Sequence, residues 1–206
     1  DPPPVVPKED QVSLVDGNNA FAIDMYGQLR SKEGNLFFSP TSISTALGMT
    51  YAGAREETAT QMAKALHFNL PPEKLHPAFA SLLTQLNGEG TKRGYQLSVA
   101  NALWGQQGYP WKAEFLDLTK KNYGAGLHEV DFATSAEASR KVINAWVEKQ
   151  TKERIKDLIP EGILSTDTRL VLTNAIYFKG DWAVQFEKKW TSDGEFKDGK
   201  KKVKTP

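Results

Sequence analysis

Leu170-Val171-Leu172-Thr173-Asn174-Ala175-Ile176-Tyr177-Phe178 runs without a charge and leads into Lys179-Gly180-Asp181-Trp182. An uncharged stretch this rich in β-branched and aromatic residues reads as a central strand, buried on both faces. Asn174 stands in its middle, an amide with two donors and an acceptor oxygen among apolar neighbours. Left unpaired in the interior, that amide would cost about 1–3 kcal/mol, so another polar group must reach it. The stretch therefore predicts a sheet with a polar device at its centre.

Working outward, only two other segments read as good strands, 95–104 and 127–132, with a shorter apolar one at 35–38. A hairpin is expected over 195–205 around Asp198-Gly199. Helical spacing of apolar residues covers about 12–31, with Phe21, Met25 and Leu29 on one face, and continues at 56–66, 73–86, 111–123 and 136–152. Ser39-Pro40-Thr41-Ser42 supplies a polar cap and a first-turn proline for a further helix, which Gly53 closes. Residues 1–11 are Pro-rich and read as an extended lead-in to one domain over 12–206. Helices come first and strands interleave later without regular βαβ alternation, which predicts an α+β fold of helices around mixed or antiparallel sheets.

The chain has 206 residues, 39% hydrophobic and 25% charged, enough for a sizeable core. Lys and Arg total 26 against 25 acidic residues, so charge gives no reason to expect nucleic acid or an anionic membrane. No apolar run approaches the roughly 18 residues of a membrane-spanning helix. Cysteine is absent, which removes disulfides, thiolate nucleophiles and Cys-based zinc sites. No Asn-x-Ser/Thr sequon occurs. The apolar strand needs neighbours on both edges, yet the sequence ends at Lys204-Thr205-Pro206 in what reads as sheet. The expectation is an incomplete fold, finished by a second polypeptide.

Three collinear blocks carry a resemblance. The first is Asn35-Leu36-Phe37-Phe38-Ser39-Pro40-Thr41-Ser42-Ile43-Ser44, running on through Ala46-Leu47-Gly48-Met49 and Tyr51-Ala52-Gly53-Ala54; the second is Ile143-Asn144-Ala145-Trp146-Val147-Glu148. The third is Thr173-Asn174-Ala175-Ile176-Tyr177-Phe178-Lys179-Gly180-Asp181-Trp182, with Phe186 just after it. Together they make the chain similar to the N-terminal half, or slightly more, of a serpin. The resemblance implies inhibition of serine, sometimes cysteine, proteases by a change of shape. A protease attacks an exposed reactive loop and is acylated; the cleaved loop then inserts into the main sheet and traps the enzyme. It also implies that Ser39, Ser42 and Asn174 form a shutter under the sheet. Trp182 would mark the breach where insertion begins, and Asn144 would lie on the helix crossing the sheet. Secretion is a further family-level expectation. A non-inhibitory member acting as carrier, storage protein or chaperone is the alternative. The reactive bond and its hinge would lie outside these residues. One position departs from the family pattern, Glu153, where a glycine is frequent two residues after Thr151.

Blander readings stand beside these. Ser39 and Ser42 suit a helix cap, Asn174 an ordinary satisfied core amide, and Trp182 plain packing. His67, His76 and His128 are the only histidines, and none has the helical partner four residues away that a zinc site needs. No Gly-x-Ser-x-Gly elbow or phosphate loop occurs, so neither an enzyme, a metal nor a cofactor is expected. Lys197, Lys200, Lys201, Lys202 and Lys204 cluster in the hairpin, either as a polyanion patch or as a solvated surface. The segment EKLHPAFASLLTQLN has a single lysine, which argues against heparin activation through that helix.

Overall fold

In the computed structural model the described residues are 5–88, 94–199 and 201–205. Five helices precede or flank the first strands: α1 (Lys8–Leu29), α2 (Pro40–Gly53), α3 (Glu56–Leu66), α4 (Pro72–Asn87) and α5 (Ala113–Tyr123). A sixth, α6 (Phe132–Gln150), crosses the sheet formed by β1 (Tyr95–Gln106), β2 (Leu127–Val130) and β3 (Leu170–Gly180). A separate hairpin pairs β4 (Gly194–Asp198) with β5 (Lys201–Thr205) around Gly199, whose φ of +56° suits a residue without a Cβ. The architecture is α+β, as the interleaving of patterns predicts.

The strand order is β2-β1-β3, with β1 parallel to β2 and antiparallel to β3. Register sets Val99 opposite Ile176, Leu103 opposite Leu172, and Asn101 opposite Asn174. Because side chains alternate along a strand, this set shares one face. It meets the main core, where Met49 of α2 and Leu75, Phe79 and Leu83 of α4 are buried. On the opposite face Ala102, Trp104 and Val171 pack with Phe132 and Ile143 of α6. The sheet is thus a layer between a helical bundle and a single crossing helix.

Four expectations are corrected. Among the described residues β3 lies at an edge of the sheet: one side pairs with β1, the other has no strand partner, and only Thr173 and Ala175 are fully buried. Residues 35–38 form no strand, because a strand needs a ladder and none is offered there among the described residues; Phe37 is 98% exposed. β2 stops at Val130, since Asp131 turns its carboxylate to the Thr134 N–H at 3.0 Å and caps α6. The lead-in is shorter than expected, for α1 begins at Lys8 directly after Pro7. The regular part of α6 nevertheless starts where its periodicity does, because Ser135 (φ −140°, ψ 44°) breaks the helix just before Ala136.

Glu153 adopts φ +62° and Lys152 φ +49°, two successive left-handed residues at the end of α6. The turn that a glycine would make is therefore made here by side-chain-bearing residues, at a cost of about 1–2 kcal/mol each before any compensation.

Candidate functional site

Asn174 is reached from two sides. From α2, the Ser42 hydroxyl donates to its Oδ1. Across the ladder, its Nδ2 donates to Asn101 Oδ1 at 2.6 Å, and Asn101 Nδ2 extends to the Tyr123 carbonyl at 3.5 Å. The result is a directed chain of donors from α2 through β3 and β1 to the end of α5. Ser42 and Asn101 are both buried, and Asn101 is only 8% exposed. The amide that appeared costly in the sequence is thus satisfied by a serine below the sheet and an asparagine beside it.

Ser39 takes a different part. Its Oγ accepts the Ser42 N–H at 3.4 Å and caps α2, with Pro40 in the first turn. That cap aims the first turn so that Ser42 faces β3. Asn144 is buried on α6 and pairs with backbone rather than with a strand. Its Nδ2 donates to the Ile159 carbonyl at 3.0 Å and its Oδ1 accepts the Ile159 N–H at 2.9 Å. Trp182 lies just past β3, 73% exposed, with its ring edge-on to Phe186 at 5.7 Å.

Two of the five hairpin lysines are seen to be paired with carboxylates. Lys202 pairs with Glu195 at 2.7 Å and Lys204 with Asp193 at 3.1 Å. Lys197 faces solvent on β4; Lys200 and the side chain of Lys201 lie outside the described residues.

The histidines have structural partners. His67 pairs with Asp24 at 2.7 Å, and His128 stacks on Trp104 with ring centroids 4.6 Å apart. His76 is 3% exposed, and its Nδ1 shares a 2.7 Å hydrogen bond with the Tyr123 hydroxyl. Burial lowers the His76 pKa to about 4 and raises that of Tyr123 well above the usual phenol value. Among the described residues no cluster of three metal-ligating side chains occurs.

Ser42, Asn174 and Asn101 carry no group that titrates near neutrality, so the chain they form holds parts together and moves no proton. Each bond is worth about 0.5–1.5 kcal/mol net, strong enough to fix register and weak enough to exchange. Asn101 was missed by sequence reasoning although its signal was the same as that of Asn174, a lone amide inside an apolar run.

The family model described as Serpin (serine protease inhibitor) matches residues 16–206. Human Serpin B3 is 43% identical over 94% of this chain and 53% of its own length. The horse leukocyte elastase inhibitor is 44% identical over 93% of this chain and 50% of its own length. Among solved structures, emu ovalbumin superposes with a TM-score of 0.86 at 32% identity, covering 93% of this chain and 53% of that one. Cleaved kallistatin complexed with heparin gives 0.85 at 32% identity, covering 95% and 58%. The chain therefore spans about half the length of the relatives it matches. With one family model covering nearly the whole chain and the sheet architecture shared with solved members, this protein belongs to the serpin family.

Proposed function

We propose that the protein is a protease inhibitor acting on serine proteases through a change of shape, with these residues supplying the sheet and its release contact. The observation that carries the reading is the Ser42–Asn174–Asn101 chain, which ties β3 to β1 and to α2 through polar bonds. An apolar seam at this place would separate only by exposing its surface to water, at about 25 cal/mol per Å². A seam of hydrogen bonds can trade its partners for those of an incoming strand. In this reading Ser42, Asn174 and Asn101 are the shutter, Ser39 orients Ser42, and exposed Trp182 marks where a strand enters.

The relatives named leukocyte elastase inhibitor support protease inhibition and suggest an elastase-like serine protease as the first probe. The open edge of β3 and the exposed Trp182, Val184 and Phe186 are where the remainder of the fold docks, from a continuing chain or a second polypeptide. Heparin has no part in the reading: the one lysine of α4, Lys74, pairs with Asp10 at 3.3 Å. The test is to mix the complete protein with elastase and resolve the products on a denaturing gel. A covalent one-to-one band that survives the denaturant supports the reading. Clean turnover of the protein as a substrate, with no such band, removes it.

A further inference from the structure

Asn87-Gly88 is the one Asn-Gly pair in the chain. Asn87 is the last residue of α4, and Gly88 follows as its cap with φ +60° and ψ 41°. Asn87 is exposed as a residue, yet its carboxamide is engaged by the sheet. Its Oδ1 accepts the Val99 N–H of β1 at 2.9 Å, and its Nδ2 donates to the Val99 carbonyl at 3.4 Å. The ladder explains why. Among the described residues β2 pairs with β1 from Leu103 to Gln106, and the Leu103 N–H reaches the Gly126 carbonyl at 3.3 Å. Backbone groups recur on one edge of a strand every second residue, so those of Val99 open on that same edge, beyond the end of β2. Val99 is buried, and the Asn87 carboxamide takes the place of a strand's peptide group beside it.

An asparagine followed by glycine carries its own nucleophile. The Gly88 backbone nitrogen, once it gives up its proton, can attack the Asn87 side-chain carbonyl carbon, and glycine has no side chain to block the approach. The new N–C bond closes a five-membered imide, while the C–N bond of the carboxamide breaks and ammonia leaves. Water then opens the imide at either carbonyl, giving aspartate or isoaspartate. The fold holds both reactants back. The Gly88 N–H donates to the Thr84 carbonyl at 3.0 Å, so its nitrogen is committed to the helical ladder. The carboxamide, for its part, is held at both of its polar atoms by Val99.

We propose that Asn87 is a modification site locked by the fold, which deamidates when the end of α4 parts from β1 and afterwards cannot remake its tie to Val99. Reaction requires the Gly88–Thr84 bond and both bonds to Val99 to break together, so its rate follows the fraction of molecules open at this end. In the product one carboxylate oxygen can still accept the Val99 N–H. The other faces the Val99 carbonyl, acceptor against acceptor, where Nδ2 had donated. Isoaspartate also adds a carbon to the backbone at the last residue of α4, which shifts the carboxylate out of register with Val99. A transient opening is thereby made lasting. The lock and its loss are properties of the resting protein, independent of protease inhibition.

Peptide mapping by mass spectrometry, with isoaspartate detection, follows the site in the complete protein at mildly alkaline pH, either folded or unfolded in guanidinium chloride. In the unfolded chain Asn87 should deamidate faster than any other asparagine. In the folded protein it should react at least about tenfold more slowly, the factor that corresponds to an opening of about 1.4 kcal/mol. Folded and unfolded rates within about threefold of each other would overturn the lock. Another asparagine outpacing Asn87 in the unfolded chain would overturn the site. Asn87→Asp supplies the product directly, and native-state hydrogen exchange reads its effect. The Val99 and Gly88 amides should exchange about three- to tenfold faster in that variant, the effect of one lost hydrogen bond, with the α2 amides unchanged. Exchange at Val99 and Gly88 equal to the parent's would mean that the carboxylate remakes the tie, and would overturn the lasting opening. If Asn87→Asp does not fold, the deamidated fraction separated from aged protein is measured in its place.

Discussion

Replacing Asn174 by alanine tests the polar chain under the sheet at its middle link. The change removes the acceptor of the Ser42 hydroxyl and the donor to Asn101 Oδ1 in one step. Both abandoned groups belong to buried residues, and a buried polar group without a partner costs about 1–3 kcal/mol. The two together give about 2–6 kcal/mol. Asn174 is itself only half-buried, so the lower half applies, about 2–4 kcal/mol. A half-exposed asparagine with no such partners would change stability by about 0.5 kcal/mol or less. Ser42→Ala strands only one group and should cost about 1–2 kcal/mol. Because both substitutions break the same bond, the double variant should cost at least about 1 kcal/mol less than the sum. The assay is urea unfolding of the complete protein, reading the midpoint at unchanged slope. An Asn174→Ala midpoint within error of the parent, or strict additivity in the double variant, would refute the reasoning.

Three further outcomes follow from the same geometry. His76 is held neutral by burial, its pKa lowered from 6.5 to about 4. The unfolded chain therefore binds the proton first, and the stability present above pH 6.5 drains away as pH falls to about 4, by at most about 3 kcal/mol. His76→Phe should flatten the pH profile across that window, and a profile as steep as the parent's would show that other groups carry it. Glu153→Gly relieves a left-handed residue and should raise stability by up to about 1 kcal/mol, read as a higher urea midpoint, the relief being partly offset by the greater freedom of glycine when unfolded. A lower midpoint would mean that the Glu153 side chain stabilises the turn in some other way. A Cβ at Gly17 would sit 2.2 Å from the His67 carbonyl oxygen, so Gly17→Ala forces α1 away from the end of α3. The cost should be about 1–3 kcal/mol, and a thermal midpoint equal to the parent's would contradict the close approach.

Much of the fold was legible because periodicity and punctuation agree locally. Ser39-Pro40 announces α2 and Gly53 ends it. What failed was whatever depends on neighbours that sequence does not name. The apolar run at 35–38 looks like a strand until no ladder is found beside it among the described residues. β3 reads as buried on both sides because its composition suits a complete sheet, whereas among the described residues one edge has no strand partner. At the site, the lone amide in β3 was a sound signal, and its partner Asn101 carried the same one. The cap and the shutter could not be separated by sequence, since Ser39 and Ser42 suit either; geometry gives the first to the helix and the second to Asn174. The tie made by Asn87 was invisible because its partner is the backbone of Val99, 12 residues away, and backbone partners leave no mark in side-chain patterns.

The most direct test of the central claim, that this sheet is built to accept another strand, is the thermal transition of the complete protein before and after a single cut in its reactive loop. The inhibitor reading proposed above predicts that cleavage raises the midpoint sharply, because the freed loop enters the sheet beside β3 as an additional strand. An unchanged or lowered midpoint, with the cut confirmed by mass, would mean that the loop stays outside and that the protein does not work by insertion.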